Sequence, residues 1–325
     1  MKKRLNYLRR ILFAYVFKRN KSNIAFWHSG FSRQKKEIGN LKNYYLDYRK
    51  KTTYKGPFDS NNVLMLNYGG NIGKKYNPDA VAQYALGCYE IYLDTKNNAY
   101  REKFLDQAVW FKNNLTMLDE KVGVWYYKFD FNYFVTLKNP WYTSLGQGHG
   151  ISVLLRAWEL TGEELYLELA HKAYVSYERL IGELGGVGFV DDEKNLWFEE
   201  YPLKDPTHIL NGFVWSLWGL YDYWLATKKN EAMILFEKGI DTLEKNIHKY
   251  DNGIWTKYDL APTKLPSIAG AYYHDLHIEQ LLVLYKLTGR KIFKRYSLKW
   301  ISYRSKFLNR FTATLWKVAF KLMYY

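Results

Sequence analysis

One pattern recurs four times along the chain and constrains its fold more than any other feature. An aromatic-rich extended stretch leads into a strongly apolar segment, a short polar turn, and a second segment that is apolar on one side. The strongly apolar segments begin near Asp79, Gln147, Leu210 and His274, about 63 to 68 residues apart. In the first unit Ala80–Leu93 reads as a helix, Asp94–Asn98 as a turn and Tyr100–Leu115 as the returning helix. The second unit has Gly150–Leu160 and Leu165–Ile181, the third Phe213–Ala226 and Ala232–Ile247, and the fourth Ile278–Leu287 and Ile292–Tyr303. The second and fourth first helices end on the same Leu-Thr-Gly, with Gly suited to the left-handed conformation that stops a helix.

The two helices of a unit differ in kind. The returning helices carry apolar residues at three-to-four spacing, as in Leu165, Leu169, Tyr174 and Tyr177 or in Ile234, Phe236, Ile240 and Leu243. The first helices are apolar on most faces, as Phe213, Val214, Trp215, Leu217, Trp218 and Leu220 show, which marks a buried helix. Repeated pairs of this kind predict an all-α fold, an α/α barrel or toroid of about four helical hairpins, in which each pair buries its face against its neighbours. The stretches Val122–Phe134, Gly186–Phe198 and Gly253–Tyr258 read as short β-hairpins ahead of the inner helices. They should gather at one mouth of the barrel. The inner-helix N-termini point there too, and their unpaired N–H groups suit an anionic ligand.

Charge divides the chain into a body and two ends. Residues 1–60 hold sixteen Lys/Arg against three acids, and residues 290–325 hold ten against none. The overall +16 therefore resolves into +13, +10 and a central −7. A basic arm over 1–60, a catalytic barrel over 61–303 and a basic amphipathic tail over 304–325 follow. Basic tails attract anionic lipid, glycan or nucleic acid alike. Neither apolar run in them approaches the ~20 residues of a membrane span. Lys18, Arg19 and Lys21 follow Ile11–Phe17 where a signal peptide would place small residues. Interfacial amphipathic helices, giving peripheral membrane contact, are the expectation at both ends. Neither a phosphate-cradling glycine loop nor a zinc spacing supports a nucleic-acid partner. Cys88 stands alone, which excludes an intrachain disulfide and favours a reducing, cytoplasmic location, peripheral at the inner membrane surface. A homodimer is compatible with all of this.

Polar residues recur just before each inner helix. Gly73–Pro78 precedes the first, Asn139–Gly150 the second, Glu199–Pro202 with Thr207–Gly212 the third, and Tyr258–Leu260 with Tyr272–His277 the fourth. Here the chain resembles the C-terminal domain of D-glucuronyl C5-epimerases. The likeness spans about residues 68–300. It rests on Glu199-Glu200-Tyr201-Pro202 with Leu210-Asn211-Gly212-Phe213, on Trp141-Tyr142 with Gln147-Gly148, on Tyr258-Asp259-Leu260, and on Tyr273-His274. Tyr76 with Pro78 extends it upstream. The resemblance implies inversion of glucuronate to iduronate within a heparosan-like acidic polysaccharide, with no redox cofactor. It implies proton transfer by Tyr201 and Tyr258, with Tyr76 or Tyr273 as substitutes, and substrate binding by Glu200 and Asn211.

On chemical grounds Trp141, Gln147, Lys257 and His274 join them as substrate-binding candidates. Abstracting a proton beside a carboxylate is very costly unless the site neutralises the developing charge, and inversion needs groups on opposite ring faces. A tyrosine serves as base if neighbouring cations lower its pKa. The family's arginine three residues after the tyrosine is Ala261 here, so Lys257, Lys264 or His274 is the expected replacement. His274 and His277 lie three apart, but no third ligand is evident, so no metal is expected. His149 reads equally as a helix-cap donor or a catalyst. Two other functions share these features. A uronate lyase would begin with the same C5 proton abstraction, an unsaturated-uronide hydrolase is also housed by helical barrels, and a glycan-binding subunit of polysaccharide assembly would lack the arginine without penalty.

Overall fold

The structure, a computed structural model, describes residues 24–27, 29–133 and 135–324. The amphipathic helix expected over residues 2–19 lies outside the described residues. Four helical hairpins follow one another: α1 (Pro78–Thr95) with α2 (Asn98–Asn114), α3 (Ser144–Thr161) with α4 (Glu164–Glu178), α5 (Leu210–Thr227) with α6 (Asn230–Asn246), and α7 (Ala271–Thr288) with α8 (Lys291–Ser305). A last helix, α9 (Phe307–Tyr324), ends the described chain. The mostly helical fold is the one that the four-fold pattern predicts. Each first helix stops in the same way. Lys96, Gly162, Lys228 and Gly289 all adopt the left-handed conformation, and each N–H returns to the carbonyl four residues back.

The inner helices α1, α3, α5 and α7 pack side by side in chain order, and each partner packs outside its own inner helix. Among the described residues α1 and α7 do not close a ring by packing on each other in the same way. The segment 29–53 joins them instead. The Tyr48 carbonyl lies against Gly87 of α1, where a Cβ would come within 2.5 Å of it. The Tyr48 hydroxyl accepts from Trp215 Nε1 of α5 at 3.1 Å, and Arg33 pairs with Glu279 of α7 at 2.6 Å. The described part of the stretch expected as a basic arm thus adds Phe26, Tyr44, Tyr45 and Tyr48 to the common core.

Two devices lock the centre. The first is glycine. A Cβ on Gly219 of α5 would fall 2.4 Å from the Cα of Gly148 in α3, so the two backbones touch. A Cβ on Gly150 would strike the Trp125 ring at 2.3 Å. The second is a buried ion pair. Arg156 of α3 donates to Asp222 of α5 at 2.6 Å with neither side chain exposed, and the Tyr45 hydroxyl donates to the same carboxylate at 2.8 Å. Tyr45 also stacks on Trp218 at 4.8 Å, and the Arg156 guanidinium lies over the Tyr44 ring.

Three local expectations need correction. Helix α3 starts at Ser144 and α7 at Ala271, ahead of the starts expected near Gln147 and His274 and of the helical spans read from Gly150 and Ile278. In the Gly-rich run at the start of α3, Gly148 lies against Trp215 and Ser216 of α5, Gly150 leaves room for the Trp125 ring, and Thr143 caps the helix by accepting from Gly146 N–H at 2.7 Å. The outer stripes depart from expectation at their starts: Leu165 and Ile234 are exposed and Leu169 is half-buried, whereas Tyr174, Tyr177, Phe236, Ile240 and Leu243 are buried as the spacing predicts. The short hairpins are real but small: Leu115–Met117 with Gly123–Trp125, Phe131–Asn132 with Thr136–Leu137, and Gly188–Val190 with Leu196–Phe198. The stretch Gly253–Tyr258 forms only isolated bridges, Asp251 to Thr256 and Lys257 to Ile268.

Two outcomes test this core. Gly219→Ala forces α3 and α5 apart and should lower stability by about 1–3 kcal/mol, read from a denaturant midpoint. Arg156→Met or Asp222→Leu alone strands a buried charge and should cost about 3–5 kcal/mol, whereas the double variant recovers most of the loss. Additive single losses would refute the pairing.

Candidate active site

The segments ahead of α3, α5 and α7 meet at one mouth. Tyr201, Leu137 and Ile209 form a buried apolar cluster against which Tyr258, Trp141, Phe131 and Tyr133 pack. These residues come from three different repeats. Tyr133 lies 4.9 Å from Tyr201 between ring centroids, Trp141 lies 5.8 Å from Tyr201, and Tyr258 meets Tyr273 edge-on at 5.0 Å. Trp141 is fixed from behind by stacking on Tyr127 at 4.0 Å and by its Nε1 donating to the Phe129 carbonyl.

The Glu-Glu-Tyr-Pro motif divides its work. Glu199 is structural: its carboxylate accepts from the backbone N–H groups of Thr207 and His208 and from the His208 ring, tying down the loop that leads to α5. Glu200 instead turns onto the start of α5. A Cβ on Gly212 would come within 2.3 Å of its Oε2, so only glycine leaves room for that carboxyl. Glu200 Oε2 and Asn211 Oδ1 are both buried without a hydrogen-bond partner. Such atoms are costly unless a ligand satisfies them. Burial, and then the neighbouring Asp79, push the Glu200 carboxyl up to about 8.

Tyr258 is pinned through its backbone, its N–H donating to the Ser267 carbonyl at 2.6 Å and its carbonyl accepting from Leu210 at 3.1 Å. Asp259 points beside it and accepts from the Tyr133 hydroxyl at 3.1 Å; burial raises its carboxyl to about 6. The Ala261 N–H donates to the same side chain, and nothing at that position carries charge. The cation comes from elsewhere. Lys317 of α9 reaches in, buried, with Nζ 5.5 Å from the Tyr258 ring centroid and donating to the Ile268 carbonyl at 2.7 Å. Desolvation lowers it to about 8 against the pull of Asp259. Lys321, one turn on, is lowered to about 7 by burial and by Lys317.

The expectation of tyrosines with lowered pKa is not met. Burial and the Glu200 carboxylate hold both Tyr201 and Tyr258 well above the ordinary phenol range. The mouth contains more carboxylates than its sequence pattern suggested, and low dielectric opposes a second negative charge.

Other predicted residues fall outside this cluster. Tyr76 donates to Asp59 at 2.6 Å and packs near Trp110, and it is not part of the Tyr201 cluster. Gln147 is fully buried, with its amide donating to Gly123, Ala173 and Ser176, so it joins elements inside the protein. His274 is fully buried too. It stacks on Trp255 at 3.7 Å, both ring nitrogens have partners in Thr256 and Trp300, and burial lowers it to about 3. Neither Gln147 nor His274 reaches a polymer from there. Lys257 sits next to Tyr258, its backbone N–H donating to the Tyr250 carbonyl at 2.8 Å.

Sequence reasoning missed Asp79, Tyr133, Asp259 and Lys317. Asp79, in the first turn of α1, accepts from the Tyr127 hydroxyl and pairs with His149 Nδ1 at 3.1 Å. Its signal was masked because an acid after Asn-Pro is an ordinary helix start. Lys317 was hidden in a tail whose composition reads as a surface helix.

The span 119–302 matches the family model described as D-glucuronyl C5-epimerase C-terminus. That span holds Tyr133, Trp141, Glu200, Tyr201, Asn211, Tyr258 and Tyr273, but not Lys317. The chain is 31% identical over 266 residues to an uncharacterized protein of Methanocaldococcus jannaschii, covering 75% of this chain and 84% of that one. It is 33% identical over 184 residues to the D-glucuronyl C5-epimerase of Caenorhabditis elegans, covering 52% of this chain and 30% of the worm protein. With that match over more than half its length, the chain belongs to the D-glucuronyl C5-epimerase C-terminal family.

Proposed function

We propose that the protein inverts C5 of uronic acid residues in an acidic polysaccharide, D-glucuronate to L-iduronate in a heparosan-like chain. The observation that carries this reading is the convergence of Glu200, Tyr201, Tyr258 and Trp141 from separate repeats beside a buried lysine. The half-buried Trp141 ring offers an apolar surface for a sugar face. Asn211 and Glu200 offer polar atoms that have no protein partner.

The raised phenols change how the proton would travel. Tyr201 becomes a base by passing its hydroxyl proton to the Glu200 carboxylate as it takes the hydrogen from C5. The electron pair left on C5 spreads into the substrate carboxylate, where Lys317 offsets the charge in place of the arginine absent at Ala261. Tyr258, protonated at rest, delivers its proton to C5 from the other face. Solvent exchange then returns Tyr258 to its phenol and Glu200 to its carboxylate. Two general catalysts on opposite faces meet the stereochemical requirement.

The decisive measurement is proton NMR of heparosan incubated with the protein in D₂O. Deuterium at C5 with iduronate signals supports epimerisation; ultraviolet absorbance from a C4–C5 double bond would instead mark a lyase. Tyr258→Phe and Tyr201→Phe should each lower exchange by about 10²–10⁴. Exchange should fall on both sides of about pH 8, the acid limb from protonation of Glu200 and the alkaline limb from loss of the Lys317 proton. Lys317→Arg should remove the alkaline limb, and a profile unchanged by that substitution would exclude the lysine. Folding stability supplies a separate check. The Glu200 carboxyl, raised from 4.5 to about 8, favours the folded state when protonated. Its contribution is therefore complete below about pH 4.5 and lost as pH rises through about 8. Glu200→Gln should flatten the fall in denaturant midpoint across that window.

A further inference from the structure

We propose that helices α8 and α9 form a docking face for an anionic lipid bilayer. Helix α9 is two-sided. Its inner face buries Ala313, Lys317 and Phe320, and Trp316 Nε1 donates to the Pro266 carbonyl at 3.0 Å. Its outer face exposes Phe307, Leu308, Phe311, Leu315, Leu322 and Met323, with Leu308 72% and Phe311 54% accessible. Positions 308, 311, 315 and 322 follow helical spacing, so most of these side chains lie on one stripe. Leu298 and Ile301 of α8 are exposed as well. Isolated exposed apolar residues need no explanation, but a stripe of this size does.

Charge identifies the occupant. Residues 290–325 contain ten cations and no acid. Arg290, Lys299 and Arg304 are occupied by carboxylates elsewhere in the fold. Lys291, Lys294, Arg295, Lys306 and Arg310 form no ion pair among the described residues. Cations around an exposed apolar stripe match the boundary of an anionic bilayer, where acyl chains receive the rings and headgroups receive the charge. A polyanionic glycan would satisfy the cations and leave six large apolar side chains in water. A second copy of this chain would bring its own ten cations against these. No helix among the described residues is long and apolar enough to cross a membrane, so contact would be at the surface. Because α9 carries Lys317 on its other face, the candidate active site would sit directly beneath the docked helix.

The test is vesicle flotation of the full chain with phosphatidylcholine alone and with phosphatidylcholine containing phosphatidylglycerol. The expected result is co-flotation with the anionic vesicles, weakened by salt and at least tenfold weaker for Phe311→Glu/Leu315→Glu. Circular dichroism and the denaturant midpoint of that variant should stay unchanged, because both side chains point outward. Absence of flotation with anionic vesicles overturns the proposal. So does equal flotation of the double variant, which would assign binding to the other end of the chain. A dimer in solution that the double variant dissolves, without vesicle binding by the parent, would assign the face to a second copy. None of these outcomes depends on epimerase activity.

Discussion

The backbone contact between Gly148 and Gly219 is the constraint from which the rest of the structure follows. With no side chain between them, α3 and α5 approach closely enough for Arg156 to meet Asp222 inside the fold. That approach also draws their N-terminal ends together. Ser144 at the start of α3 receives the Ser216 hydroxyl of α5 at 2.8 Å, and the Glu199 carbonyl accepts from Ser144 N–H. The segment Glu199–Tyr201, which follows the strand Leu196–Phe198, is thereby fastened at the start of α3. A third glycine, Gly212, then makes room for the Glu200 carboxyl. Small residues thus convert helix packing into a defined position for a charged group.

Electrostatics at the mouth follows from crowding of acids in a region that water enters poorly. Burial, and then Asp79 and Asp259, raise Glu200; burial raises Asp259; and burial with Glu200 raises the phenol of Tyr258 in turn. The buried Lys317 and the half-buried Lys321 are the counterweight, and both belong to a helix beyond the span that matches the family model. A cation delivered by α9 offsets the mouth from a different direction than one on the Tyr258 loop would. Ala261 carries no charge beside Tyr258, and the inward face of α9 brings Lys317 to that ring instead.

Much of the fold was legible in the residues. The returning period, the all-round apolar character of segments such as Phe213–Tyr221 and the left-handed stops all depend on neighbours a few positions apart. Helix starts were less legible. Gly146, Gly148 and Gly150 carry the composition of a loop, and it is tertiary neighbours such as α5 at Gly148 and the Trp125 ring at Gly150 that explain them. The site was legible in part for the same reason. Tyr201, Glu200 and Tyr258 sit in distinctive local motifs, whereas Gln147 and His274 share those motifs but spend their polar atoms inside the protein.

By itself the sequence determined that helices would form in four repeating pairs, that one of each pair would be buried, and that tyrosines and acids would recur ahead of the buried ones. Those are consequences of local periodicity and capping, which short stretches of chain decide alone. Tertiary structure decided which polar residues face the mouth, that residues 29–53 stand between α1 and α7, and that Lys317 returns to the site from far along the chain. These depend on where backbones can touch and on which charges burial leaves unpaired, and neither property exists until separate segments meet.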